Sequence, residues 1–110
     1  QSMERAKQYI LENYQDPDLS VEQICRILHM SPAYFSTMFK KETGQAYIAY
    51  LTDVRLGRAV ELLMATDDKT YIIAEKVGYE SQSKLTAAFK SAYGVLPSEY
   101  RKEKKENGRS

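Results

Sequence analysis

The sequence predicts an all-α fold: two helix-turn-helix subdomains joined by a long linker helix, about seven helices in all. Three observations predict it. Apolar residues recur at i, i+3, i+4 and i+7 along much of the 110-residue chain, the period of an amphipathic helix. No useful length alternates β-branched and polar residues as strands do. The few glycines (5) and prolines (3) sit mostly where helices would start or stop.

Helix 1 is expected over roughly 2–14, with Met3, Ala6, Ile10 and Tyr14 on one face, and Gln15-Asp16-Pro17-Asp18 ends it. Helix 2 opens at Ser20, where Ser20-Val21-Glu22-Gln23 reads as a capping box. Val21, Ile24, Cys25 and Leu28 then mark its apolar face. After the turn His29-Met30, Ser31 caps helix 3 and Pro32 takes its first position. Helix 3 runs to about Thr43 and stops at Gly44. Helix 4 covers 46–65, with Ile48, Leu51, Leu56, Ala59, Val60, Leu62 and Leu63 on a wide apolar face, and Thr66-Asp67-Asp68-Lys69 breaks it. Helix 5 starts near Thr70 and carries Ile73, Ala74 and Val77. The turn Gly78-Tyr79-Glu80 leads to helix 6, which follows Ser81 and ends at Gly94. Pro97 begins helix 7, which is expected to fade into a polar, frayed tail over 102–110.

The second half repeats the first. Behind the turn the offset is 50: Ser31/Ser81, Phe39/Phe89, Lys40/Lys90, Gly44/Gly94 and Tyr50/Tyr100. Ahead of it the offset is 49: Ile24/Ile73, Cys25/Ala74 and Leu28/Val77. The extra residue falls in the loop, where an insertion is least costly. The organisation is therefore a first helix-turn-helix at 20–44, a linker helix at 46–65 and a second helix-turn-helix at 70–94, within a domain spanning 1–101.

In helix 3, Phe35, Met38 and Phe39 face one way and Ala33, Ser36, Thr37 and Lys40 the other. In helix 6, Leu85, Ala88, Phe89 and Ala92 should face inward and Ser83, Thr86, Ala87 and Lys90 outward. A narrow outer face of small, polar and basic side chains lets a helix backbone approach a partner closely. The DNA major groove, which just admits a helix, requires this. One such face is ordinarily plain solvent surface; two in matched register point to paired recognition helices. Two grooves on one DNA face lie ~34 Å apart, and a 20-residue linker helix is ~30 Å long, so straight DNA that cannot meet both helices would have to bend.

Net charge is only +1, with 16 basic and 15 acidic residues. It alternates along the chain: 1–33 sum to −2, 34–58 to +2, 59–83 to −3 and 84–110 to +4. Two positive patches are thus possible. No apolar run is long enough to span a membrane, and the N-terminus shows no signal-peptide pattern. One Cys and one His allow neither an internal disulfide nor a four-ligand zinc site, and a reducing, cytoplasmic setting follows. There is no Gly-rich phosphate loop, metal spacing or nucleophile–base pair, so no catalytic residue, metal or cofactor is expected.

Two stretches carry a resemblance. Ser31-Pro32-Ala33-Tyr34-Phe35-Ser36-Thr37-Met38-Phe39-Lys40-Lys41-Glu42-Thr43-Gly44 resembles the first recognition-helix motif of AraC/XylS-type bacterial transcription regulators. Ile73 to Ser81, followed by Phe89-Lys90 and Gly94-Val95-Leu96-Pro97-Ser98-Glu99-Tyr100-Arg101, resembles that family's second motif and ending. The likeness covers roughly 3–101. It implies a bipartite domain on double-stranded promoter DNA, acting as activator or repressor with RNA polymerase as a further partner. By position, the base-reading residues would be Ala33, Ser36 and Thr37 in helix 3 and Gln82, Ser83, Lys84 and Ala87 in helix 6. Tyr34, Lys40, Lys41 and Lys90 would meet phosphates. Such domains usually follow a longer upstream part. The wording of Leu28-His29-Met30-Ser31-Pro32 and Lys69-Thr70-Tyr71 looks most like response regulators of the YesN kind, which implies an upstream receiver or effector-binding domain and a monomeric DNA-binding fragment. The chain departs from the family where Lys84-Leu85 replaces a common aromatic. No arginine occupies either outward face, which implies modest direct readout, with thymine-methyl contacts, water and DNA shape adding to it.

Individual residues carry further expectations. His29 is a surface turn residue and Cys25 a buried, inert thiol. Arg55 lies near the apolar face of helix 4 and should pair with Glu22 or Glu75, or else meet a phosphate. Tyr9, Tyr50 and Tyr100 fit helix packing. Arg101 to Lys105 is a solvated basic run. A helical protein-interaction module is the alternative to DNA binding.

Overall fold

The computed structural model describes residues 3–108 and shows seven α-helices and no strand among them. They are α1 Glu4–Asn13, α2 Val21–Leu28, α3 Pro32–Thr43, α4 Tyr47–Ala65, α5 Thr70–Val77, α6 Gln82–Tyr93 and α7 Pro97–Asn107. Ser2, expected to open helix 1, lies outside the described residues, as do Arg109 and Ser110 of the expected tail.

The caps follow the sequence. Ser20 Oγ accepts from the Gln23 N–H at 3.2 Å, and Gln23 Oε1 accepts from the Ser20 N–H at 3.2 Å. Together they satisfy two of the donors that a helix start leaves free. Ser31 and Ser81 cap α3 and α6 alike, accepting from the amides of Tyr34 at 3.1 Å and Lys84 at 3.2 Å.

Two hydrophobic cores lie along the molecule. The first gathers Met3, Ala6, Ile10, Leu19, Ile24, Cys25, Phe35, Phe39, Tyr47 and Leu51. The second gathers Leu56, Ala59, Leu62, Leu63, Ile73, Ala74, Val77, Leu85 and Phe89. α4 supplies residues to both, and half-buried Tyr14 packs against both. The result is elongated, 50 × 24 × 20 Å, with a radius of gyration of 15.6 Å against ~13 Å for a compact chain of this length. Cys25 is buried, and burial pushes its thiol up, with Glu22 adding to the rise.

Several expectations are corrected. Arg55 pairs with neither Glu22 nor Glu75. Its Nε donates to the Tyr14 carbonyl and its Nη2 to the Asp16 carbonyl, both at 2.9 Å, and the guanidinium lies 5.5 Å from the centre of the Tyr79 ring. Tyr14 caps the C-terminal end of α1, where carbonyls lack intrahelical partners, and a planar fork of donors can reach its carbonyl and that of Asp16 in the following loop together. Ile48 is 65% exposed rather than in the apolar face, because it follows the buried Tyr47 by one residue and so points about 100° around the helix from it. Ala92 is exposed, one turn beyond the inward residues Leu85 and Phe89. Residues 102–107 are helical rather than frayed. Glu99 accepts from the Leu96 N–H at 2.8 Å at the start of α7, and Lys104 and Lys105 occupy the last turn, so these three charges sit at their favoured ends of the helix dipole. Arg101 is half-buried rather than fully solvated. It donates to the carbonyls of Leu63 and Thr66, both at 3.0 Å.

Tyr47 carries a mismatch. Its hydroxyl is buried with no hydrogen-bond partner, while its ring meets Phe35 and Phe39 edge-on at 6.0 and 6.3 Å. Tyr47→Phe is expected to stabilise the chain by about 1 kcal/mol, since an unpaired buried hydroxyl costs about 1–3 kcal/mol. Thermal unfolding of the variant checks this.

Candidate nucleic-acid interface

Each helix-turn-helix buries one side of its second helix. Phe35 and Phe39 of α3, and Leu85 and Phe89 of α6, are all 0% exposed. The rings around them fix the roll of each helix about its axis. Phe39 meets Tyr50 edge-on at 5.4 Å, and Phe89 meets Tyr100 edge-on at 5.5 Å, the same pair one repeat apart. With that roll set, the opposite side must face solvent.

The structure places all eleven expected contact residues on that exposed side. Ala33, Ser36 and Thr37 are exposed on α3, and Gln82, Ser83, Lys84 and Ala87 on α6. Tyr34, Lys40, Lys41 and Lys90 are exposed as well. The structure brings Gln82, Ser83 and Ala87 together with Thr86 in an open depression on α6. Thr86 reads from the sequence as outward-facing without belonging to the base-reading set, and the structure leaves it half-buried. Its repeat partner at an offset of 50 is Ser36, which was the signal available. Ser36 and Lys40 line a second depression with Val21, Ala46, Tyr47 and Ile48, where α2, α3 and the start of α4 meet. Ala46 and Ile48 carry no nucleic-acid signature in their residue type, and only the fold brings them beside Lys40.

Electrostatics favour an anion on this side. α3 has no acidic residue in its first turn, so its positive dipole end is left open to an anion; α6 has none within its first turn, but the Glu80 carboxylate stands just ahead of its cap. Lys40, Lys41 and Lys90 form no salt bridge among the described residues. Lys84 differs, because its Nζ sits 3.2 Å from the Glu80 carboxylate in a well-exposed pair. It must leave a weak surface partner to meet a ligand.

No group of three or more His, Cys, Asp or Glu among the described residues could hold a metal ion. No helix among them is long and apolar enough to cross a membrane.

A family model described as "Helix-turn-helix domain" matches residues 24–103. The chain belongs to the AraC-type helix-turn-helix domains. Solved AraC-type structures match it along nearly its full length. The C-terminal domain of AraT, a response regulator from Geobacillus stearothermophilus, is 42% identical with a TM-score of 0.88, covering 90% of this chain and 82% of that one. The C-terminal domain of the two-component response regulator YesN from Fusobacterium nucleatum is 36% identical with a TM-score of 0.87, covering 89% and 95%. The DNA-binding domain of AdpA, solved with a target DNA, is 25% identical with a TM-score of 0.88, covering 94% and 92%. A TM-score that high over both halves requires the halves to sit alike relative to each other as well as to fold alike. The chain spans between 13% and 34% of the length of three curated bacterial regulators that it matches at 33–34% identity.

Proposed function

We propose that this AraC-type domain regulates bacterial transcription by placing α3 and α6 in successive major grooves of promoter DNA. Ala33, Ser36 and Thr37 read bases from α3, and Gln82, Ser83, Lys84 and Ala87 from α6. Tyr34, Lys40, Lys41 and Lys90 hold phosphates. The unit that binds is residues 1–101, acting as a monomer in the cytoplasm and performing no chemistry. RNA polymerase, and a receiver domain of the kind found in response regulators, are its partners in this reading.

One observation carries it. Two helices in matched repeat register each present a small, polar, basic face to solvent, in a fold that superposes over 94% of its length on a domain solved with DNA. α4 has 19 residues and so spans ~28 Å, close to the ~34 Å between grooves. Should α3 and α6 stand closer than successive grooves on straight DNA, bending would bring the grooves to them at a cost on the order of 1–6 kcal/mol.

Two classes of substitution should separate. Lys40→Ala or Lys90→Ala is expected to weaken binding to all sequences alike and to lower the salt slope of log K by about 1 each. Ser36→Ala, Thr37→Ala or Ser83→Ala is expected to change which base pairs are preferred while leaving that slope alone. Mobility shifts at several salt concentrations, against matched and scrambled duplexes, read both. Equal loss on every duplex from both classes would refute the assignment of roles.

A further inference from the structure

Two separate parts of the chain converge on Arg55. Its guanidinium bonds the Tyr14 and Asp16 carbonyls, both at 2.9 Å, in the loop that feeds the first helix-turn-helix. The Tyr79 ring, in the turn of the second helix-turn-helix, lies 5.5 Å from it. The same turn presses so closely that a Cβ on Gly78 would collide with the Tyr14 carbonyl oxygen and come within 2.7 Å of Arg55 Nε. The two cores are otherwise joined along α4, with Tyr14 packed against both. Arg101 makes a similar fork to the Leu63 and Thr66 carbonyls, but inside the second half alone. One clamp therefore fastens a half to itself, and the other fastens the halves to each other.

We propose that Arg55 is a positioning residue for two-groove binding: its clamp sets the angle between α3 and α6 and so selects the spacing between the two half-sites on DNA. The proposal rests on the two-groove reading above. One base pair of extra spacer moves a half-site ~3.4 Å along the duplex and rotates it by roughly 34–36°. A rigid joint cannot follow such a change, whereas a loose one can. When two linked modules engage together, the gain over one module depends on how well the linkage holds the second in reach. Losing the clamp should therefore reduce that gain and widen the tolerated spacings, with each half still able to bind.

The test uses the two-part duplex recovered by selecting random DNA with this chain. The same duplex with one base pair added to or removed from the spacer, and with one half scrambled, completes the set. For the native chain we expect about tenfold preference for the selected spacing. For Arg55→Ala we expect a full-site affinity about tenfold lower, a spacing preference under about threefold, and binding to the half-scrambled duplex within about twofold of native. Arg55→Lys keeps the charge without the fork, and its spacing profile should resemble that of Arg55→Ala. Arg101→Ala should lower the melting temperature yet keep the native spacing profile, a separation that a purely structural role for Arg55 would not produce. If Arg55→Ala does not fold, Tyr79→Leu, which removes the ring beside the guanidinium, should flatten the profile in the same direction. Folded Arg55 and Tyr79 variants with the native spacing profile would overturn the proposal, as would equal losses on intact and half-scrambled duplexes. A native chain indifferent to both spacing and scrambling would overturn the two-groove reading itself.

Discussion

Gly78→Ala is expected to destabilise the chain by about 3–5 kcal/mol, and Gly44→Ala and Gly94→Ala by only about 1–2 kcal/mol each. All three glycines have left-handed backbones, with φ of +99°, +82° and +81°, so alanine carries a similar conformational penalty at each. Their surroundings differ. A Cβ meets nothing within 4 Å at Gly44 or Gly94, but at Gly78 it meets the Tyr14 carbonyl and the Arg55 guanidinium. Backbone cannot move aside as the end of a flexible side chain can, so the turn and the α1–α2 loop must separate, and the Arg55 bonds go with them. The first repeat offers an internal control. His29 stands where Gly78 stands in the second, also left-handed at φ +58°, yet it is exposed and tolerated because no second half presses on that turn. Denaturant or thermal unfolding of the three variants measures the comparison. Similar losses at all three positions would mean that the close approach at Gly78 adds no cost.

Phe39→Ala and Phe89→Ala are each expected to cost about 3–5 kcal/mol, the usual range for emptying a phenylalanine site in a packed interior. Both rings are 0% exposed. Phe39 packs on Phe35 at 5.4 Å and Tyr50 at 5.4 Å, and Phe89 on Tyr93 at 4.6 Å and Tyr100 at 5.5 Å. The molecule has two cores rather than one, so the damage should be local. Amide hydrogen exchange in Phe39→Ala should accelerate in α1–α3 while α5–α7 stay protected, and Phe89→Ala should do the reverse. Uniform acceleration in both variants would mean that the cores unfold as one unit.

Much of this architecture was legible because it rests on local chemistry. Ser20, Ser31 and Ser81 announce helix starts, and the apolar period locates Ile24, Phe35, Phe39, Leu85 and Phe89. The repeat then carries each assignment into the other half. What escaped the sequence depends on backbone atoms, which leave no residue signature. Arg55 suggested a carboxylate partner, but its partners are the carbonyls of Tyr14 and Asp16, and any residue type supplies those. Arg101 was hidden in the same way within a run of charges that looked solvated. Residues 102–107 looked like a tail because they lack apolar residues, yet they continue α7. A bridge from Lys105 to Asp67 at 3.2 Å and the Lys104 ammonium 5.4 Å from the centre of the Tyr100 ring accompany that turn. The outward faces were legible as faces. Which of their side chains meet bases is set by docking geometry that residue types do not encode.

Two helices that act together on one duplex leave a two-part footprint in its sequence. Selecting bound fragments from random double-stranded DNA with the folded chain tests this most directly. Joint action yields an enriched motif with two conserved blocks about one helical turn, or 10–10.5 base pairs, apart. A single short block, or no enrichment from a chain that circular dichroism shows to be helical, would contradict it.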